Sequence, residues 1–532
     1  MRGRTPFKMA AGVAGVAALA LVAAGCTSEE PSAPSTFVLK SNLGEPQTLL
    51  STNSAESEGN QVLAALFEPL VDYDDNVKPV LAAAESVEST DKITWTIKIK
   101  GDRKFHNGED VTSDSFINAW NYAAYGDNGQ NNNYFFEFIE GYDAMQEKGS
   151  TVKELSGLKK VDDKTFTVKL TYAFADFPLV IGYTAFLPLP SVAFSAPGVI
   201  DEKFEEAPIG NGPFKMKGVW DHDVKISVER WDDFKGTKPK IAGVDFIIYN
   251  TLTAAYADLT QDNLDVLDSI PTENLSSALT DLGERFAHSP SSTFQYLAFP
   301  VKNPKYSNAE VRKAISMAID RAEIVEKVFK NLQAPADAFV SPVVAGYRKG
   351  ACGETCTYDA AKAKALYTSA NGPAEISIAY NADGGHKEWV EATCLQLEKN
   401  LGVTCVGNPF PKFADLLNKL KAGEDIGFFR LGWSMDYPSM QNYLGPLYTT
   451  NGSSNYYGYS NPEFDDLVLK GNSAATGDEA IKFYQQAEDI LVKDVPVLPM
   501  RFGQNNYGYS NRVKNVKFDS FSKLDLISIE AA

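Results

Sequence analysis

Ala374 to Leu431 read AEISIAYNADGGHKEWVEATCLQLEKNLGVTCVGNPFPKFADLLNKLKAGEDIGFFRL, a run in which short apolar segments alternate with helix-spaced ones. Ile376 to Tyr380 has the composition of a buried strand, and Lys387 to Asn400 has helical spacing. Val403 to Val406 is a second strand, Pro411 to Lys421 a second helix, and Ile426 to Leu431 a third strand. The order βαβαβ predicts a wound α/β domain, because parallel neighbours need a crossover and the helix supplies it.

Working outward, Ile93 to Lys100 and Thr165 to Leu170 alternate with period two and predict half-buried strands, as does Val224 to Val228. Phe37 to Ser41 is a further short strand, and Glu58 to Leu66 has helical spacing. Val311 to Phe329 predicts one long periodic helix, opened by the capping-box pattern Ser307-Asn308-Ala309-Glu310. No tandem repeat or internal low-complexity segment interrupts this rhythm.

The 532 residues exceed one ordinary domain and predict about three or four. With 44% hydrophobic and 22% charged residues the chain has material for large cores, which excludes a disordered chain, a coiled coil or a multi-span membrane protein. Fifty basic residues against 69 acidic ones give a net charge of -19, the wrong sign for a nucleic-acid binder. His106, His222, His288 and His386 are the only histidines, too few for several multi-histidine metal sites. No metal site and no cofactor is expected.

Arg2, Arg4 and Lys8 precede an uncharged Ala/Val/Leu-rich run from Met9 to Gly25, closing on Val22-Ala23-Ala24-Gly25-Cys26. Residues 1–25 therefore predict a signal peptide. Small residues before a cysteine resemble the lipobox of bacterial lipoproteins, with Cys26 the lipidated first residue of the mature chain. Acyl chains at about 0.8 kcal/mol per buried methylene would hold the protein on the outer face of the cell membrane. A retained membrane helix is the alternative. Residues 26–35 are polar and Pro/Ser-rich and predict a flexible tether. Export leaves Cys352, Cys356, Cys394 and Cys405 in a disulfide-permissive compartment. Three connectivities are open; pairing of neighbours, 352 with 356 and 394 with 405, is favoured over a zinc site.

Catalytic signatures are missing: there is no G-x-S-x-G, H-E-x-x-H, Walker A or G-x-G-x-x-G string. Gly210-Asn211-Gly212-Pro213 predicts a tight turn, because Pro213 removes an amide donor and no Lys-Ser/Thr follows. His106 sits in a Phe105-His106-Asn107-Gly108 turn, with no catalytic role expected.

Several strings together carry a resemblance. They are Glu45-Pro46-Gln47-Thr48-Leu49, Phe67-Glu68-Pro69-Leu70, Lys104 to Asp114, Pro208 to Phe214, Val311 to Arg321, Gly432-Trp433-Ser434-Met435-Asp436-Tyr437-Pro438 and Asn461 to Asp465. In this order, residues 37–532 resemble the extracellular solute-binding proteins of ABC importers, family 5, which bind oligopeptides and dipeptides. The resemblance implies an α/β type II periplasmic-binding-protein fold, two hinged lobes with an extra third domain. Residues 36–78, 207–293 and 501–532 would form lobe I, 79–206 the extra domain II, and 294–500 lobe III.

The resemblance also implies a short peptide as ligand, ABC permease subunits as partners, a monomeric state and no catalysis. Asp436 would hold the peptide's α-ammonium, since a buried carboxylate needs a partner charge. Arg430 would meet a carboxylate or serve in a structural ion pair. Trp433 and Tyr437 would wall a pocket, Asn53, Ser54 and Glu56 would offer polar contacts, and Tyr134 would cover the cleft from domain II. Nickel chelates, haem or oligosaccharides are alternative cargoes on the same fold, and a lipid-anchored hydrolase or a surface receptor are the readings from other classes.

Overall fold

The computed structural model describes residues 36–382 and 385–532, so the signal peptide, Cys26 and the tether lie outside the described residues. The wound unit forms as its periodicity predicts. Strands Glu375–Asn381, Thr404–Phe410 and Phe428–Trp433 alternate with helices Lys387–Leu401 and Phe413–Lys421. The first strand lies in the middle, parallel to both others. The third strand runs two residues beyond Leu431, because Gly432 and Trp433 continue the ladder opposite Gln295 and Phe294.

This unit is one end of a large mixed sheet. In spatial order the strands are Phe214–Met216, Lys225–Arg230, Gly243–Ile248, Val38–Leu43, Val266–Leu267, Val497–Tyr509, Phe286–Ala298, Phe428–Trp433, Glu375–Asn381 and Thr404–Phe410. Two 13-residue antiparallel strands, Phe286–Ala298 and Val497–Tyr509, run through its middle. Their register shifts between Pro290 and Phe294. Gly503 lies against this bulge, where a Cβ would come within 2.6 Å of Ser291 Oγ and 2.8 Å of Thr293 Cβ, so the position has no room for a side chain.

A separate four-stranded antiparallel sheet contains Ala84–Glu88, Thr94–Ile99, Thr165–Lys169 and Leu158–Asp162. Its period-two pattern is realised: Trp95, Ile97 and Ile99 face inward under helix Ser113–Ala124, which buries Phe116 and Trp120.

Two expectations need correction. Val311 to Phe329 is not one helix but two, Ala309–Met317 and Arg321–Phe329. The break occurs because the Asp320 side chain caps the second helix, accepting from Glu323 N at 3.0 Å. The first helix is capped by Asn308, which accepts from Glu310 N, not by Ser307. Both arginines of this segment are buried and hold backbone carbonyls: Arg312 those of Tyr306, Ser307, Asp494 and Val495, Arg321 those of Ser316, Ile319 and Pro499.

The turns at His106 and Gly210 meet each other. His106 N donates to Gly210 O at 2.8 Å, Gly210 N donates to His106 Nδ1, and the Asn211 side chain bonds both the N–H and the C=O of Glu68 at 3.0 Å. A Cβ on Gly210 would fall 1.9 Å from Leu66 O. Burial lowers the His106 pKa to about 4, so its imidazole is a neutral brace. Cys352 bonds Cys356 and Cys394 bonds Cys405, the neighbour pairing. No helix among the described residues is long and apolar enough to cross a membrane.

Candidate functional site

Beyond Trp433 the chain turns off the sheet and enters helix Met440–Tyr448, whose N-cap Ser439 accepts from Gln441 N at 3.0 Å. Asp436 sits in the connecting loop, three residues past the strand end. That is the position at which open α/β sheets present ligand contacts. The first helical turn brings Asn442, 1% exposed, back over the loop. Its Oδ1 accepts from Asp436 N at 2.8 Å and from Trp433 Nε1 at 3.1 Å, and its Nδ2 donates to Asp436 Oδ2 at 3.0 Å. One buried amide thus sets the backbone, the carboxylate and the indole.

The other side of the loop is tied to the central bulge. Met435 N donates to Ser292 Oγ at 3.2 Å, Thr293 Oγ1 and Ser434 Oγ are 3.1 Å apart, and Tyr443 OH donates to Ser292 O. The loop is therefore clamped between a helix turn and the irregular part of the two long strands.

Asp436 is half-buried and Asn442 is its one hydrogen-bonding side chain; no ion pair reaches it among the described residues. Burial raises its pKa to about 6, opposed by the Asn442 bond. Tyr73, Tyr134, Tyr183, Tyr437 and Tyr443 stand close enough that its charge pushes their phenols further up, beyond the effect of burial itself. Asp436 is thus a carboxylate ringed by tyrosines, with no cation paired to it among the described residues.

Asp436 opens on a cavity of about 470 Å³. Tyr134, Phe138, Tyr172 and Phe174 form one wall, and Tyr437 with helices Met440–Tyr448 and Pro462–Asn472 forms the other. Tyr134 is 40% exposed and Tyr437 is buried with its hydroxyl on Gln441 Oε1, so both line the cavity with Asp436. Trp433 does not line it; it acts on the loop through Asn442.

Arg430 is placed apart, on the sheet face. Its guanidinium bonds Gln295 Oε1 at 2.8 Å and Asn381 Oδ1 at 3.0 Å, and lies over Phe413. Asn53 O and Oδ1 accept from Asn131, and Ser54 is fully buried with Ser54 O on Asn132 Nδ2. Glu56 caps helix Ser57–Leu66 through Gly59 N at 2.9 Å, and burial, with Glu58 beside it, raises its pKa to about 7. These three residues join their loop to the 130–132 segment and to a helix start, outside the cavity at Asp436.

Sequence reading passed over Asn442, Gln441, Glu137, Asp465 and Asn472, which the fold brings to this cavity. Asn442 carried a usable signal: it lies in the first turn after the Ser439 cap, six residues from Asp436. Glu137 carried none, being one of 69 acidic residues, and Asp465 lies in a string that carries the resemblance but was given no role at the site.

Comparison with known proteins now has a geometry to meet. The family described as bacterial extracellular solute-binding proteins, family 5 (middle), matches residues 76–455. The oligopeptide-binding protein OppA of Bacillus subtilis is 26% identical over 487 residues, covering 89% of this chain and 88% of that protein. The dipeptide-binding protein DppE of the same organism is 28% identical over 471 residues, 85% of this chain and 84% of its own. Among solved structures, the substrate-binding protein CtaP of Listeria monocytogenes superposes with a TM-score of 0.80 at 21% identity, covering 94% of this chain and 100% of that one. The Escherichia coli murein tripeptide binding protein MppA gives 0.76 at 22%, covering 94% and 99%. The expected α/β type II solute-binding fold is the fold of this chain.

Proposed function

Because this chain belongs to the bacterial extracellular solute-binding proteins of family 5, we propose that it is the binding component of an ABC importer, anchored outside the cell membrane through a lipidated Cys26, which captures short peptides and hands them to a permease. In this reading residues 36–78, 207–293 and 501–532 form one lobe, 294–500 the other and 79–206 the added domain. The peptide lies between them, and closure is selected because only the closed form contacts it from both sides. The protein acts as a monomer and performs no chemistry on its cargo.

The observation that carries the peptide reading is Asp436: a carboxylate with a single amide partner, raised to about 6 by burial and facing a cavity walled by tyrosines. An α-ammonium supplies the charge and three donors such a site lacks. Arg430, held in plane by Gln295 and Asn381, is the proposed partner of a ligand carboxylate. The names of the relatives, oligopeptide- and dipeptide-binding proteins, support the same cargo class.

The test is native mass spectrometry of the purified protein, with Asp436→Asn alongside. Wild type carrying a heterogeneous set of short peptides, lost in the variant, supports the reading. A homogeneous sugar or metal chelate, or peptide retention by Asp436→Asn, overturns it.

A further inference from the structure

We infer that the cavity beside Asp436 selects peptides whose first residue carries a cationic side chain, with Glu137 as the residue that decides it. The inference rests on the proposed binding of an α-ammonium at Asp436 and deepens it.

Three carboxylates line this cavity, Asp436, Glu137 and Asp465, and its lining contains no Lys, Arg or His among the described residues. Among the described residues none of the three is in an ion pair. Asp436 is held by Asn442, and Asp465 accepts from Thr450 N at 3.0 Å and Thr450 Oγ1 at 2.5 Å. Glu137 is exposed, and its carboxylate has no hydrogen-bonding partner among the described residues. A single ligand ammonium at Asp436 leaves the exposed Glu137 carboxylate of the same lining uncompensated, and a second cation on the ligand is favoured there.

The space and its walls suit such a group. About 470 Å³ is far more than an ammonium needs and lies within the roughly 300–1,000 Å³ of small-ligand pockets. Phe138, Tyr172 and Phe174 provide ring faces and apolar surface for a methylene stem and its charged tip.

A second feature tells a peptide from a bare diamine. Gln441 and Asn472, 8% and 5% exposed, also line the cavity. Each amide oxygen is occupied, by Tyr437 OH and Tyr484 OH, while each amide nitrogen has no partner among the described residues. Two amide donors on residues that line a cavity with three carboxylates call for acceptors on the ligand, and the carbonyl groups next to a peptide's amino terminus supply them.

Isothermal titration of the purified full chain at pH 7 would use Lys-Ala-Ala, norleucine-Ala-Ala and Nε-acetyl-lysine-Ala-Ala, which share a stem and differ in side-chain charge. The expected result is that Lys-Ala-Ala binds at least about tenfold more tightly than either neutral analogue. The preference should fall below about threefold in Glu137→Gln, a change that removes charge where no hydrogen bond is lost. Lys-Ala-Ala and norleucine-Ala-Ala binding within twofold of each other, both weakened by Asp436→Asn, would overturn this inference and leave the proposed function standing. If no peptide binds, or Asp436→Asn changes neither, the proposed function itself falls and this inference with it. An unchanged preference in Glu137→Gln refutes the role of Glu137.

Discussion

Peptide affinity should depend on pH through Asp436, and the size of the effect can be worked from its surroundings. The binding form is the carboxylate, and burial places its pKa at about 6 in the ligand-free protein. At pH 7 about nine-tenths of the molecules carry the charge, at pH 6 about half and at pH 5 about a tenth. The dissociation constant for Ala-Ala-Ala should therefore rise about twofold from pH 7 to 6 and about tenfold from pH 7 to 5. A peptide's α-amino group, with a pKa of about 7.7–8.0, stays charged over that range, so the ligand does not mask the effect. Asp436→Asn keeps an oxygen for Asn442 Nδ2 and loses only the charge. It should cost about 3–5 kcal/mol, between two and four orders of magnitude in affinity. The surrounding phenols, pushed up by burial, do not titrate in this window, and burial raises the pKa of Glu137 as well. The difference between wild-type and Asp436→Asn profiles isolates Asp436. Isothermal titration from pH 5 to 7 measures both curves. A wild-type affinity flat across that range, or an Asn variant within threefold of wild type at pH 7, would refute the reasoning.

The same carboxylate should weaken the ligand-free fold. An acid whose pKa is higher folded than unfolded binds more protons when native, so stability falls as pH rises from about 4 to 6. Asp436→Asn should then raise ligand-free stability at pH 7 by up to about 3 kcal/mol, and by nothing at pH 3, as calorimetry can show. Arg321→Met should lose about 2–4 kcal/mol in urea unfolding, because the Ser316, Ile319 and Pro499 carbonyls lose a buried donor. Gly210→Ala, with its Cβ driven onto Leu66 O, should lower the melting temperature by more than the same change at Gly101, where a Cβ meets nothing. Replacing Cys394 and Cys405 together by alanine should cost about 2–3 kcal/mol in chemical unfolding, the loop-closure entropy of an 11-residue separation.

Local period was legible in the sequence, and pairing was not. Alternation of Thr94 to Ile99 and the spacing of Lys387 to Leu401 follow from which side chains must face a core, and both elements formed. The apolar spacing from Val311 to Phe329 continues across the break at Ala318–Asp320, so hydrophobicity reads one helix where Asp320 starts a second. His106 and Gly210 were each readable as turns, but their meeting joins positions 104 residues apart, which no local pattern encodes. For the site, resemblance alone singled out Asp436. The clamp by Asn442 and the company of Glu137 and Asp465 depend on how a loop, a helix turn and a distant segment pack, and carboxylates as common as these carry no mark of position.

The central place of the Val497–Tyr509 strand has a consequence for how the chain is made. It lies between Val266–Leu267 and Phe286–Ala298 and pairs with both, although it is synthesised long after either. Until it arrives, each portion of the sheet ends in a bare edge. Nascent chains halted before residue 497 should thus stay sensitive to protease and open to chaperones, and emergence of residues 497–509 should trigger a concerted collapse. Such a delay keeps the segments on either side of that strand threadable until it pairs with them.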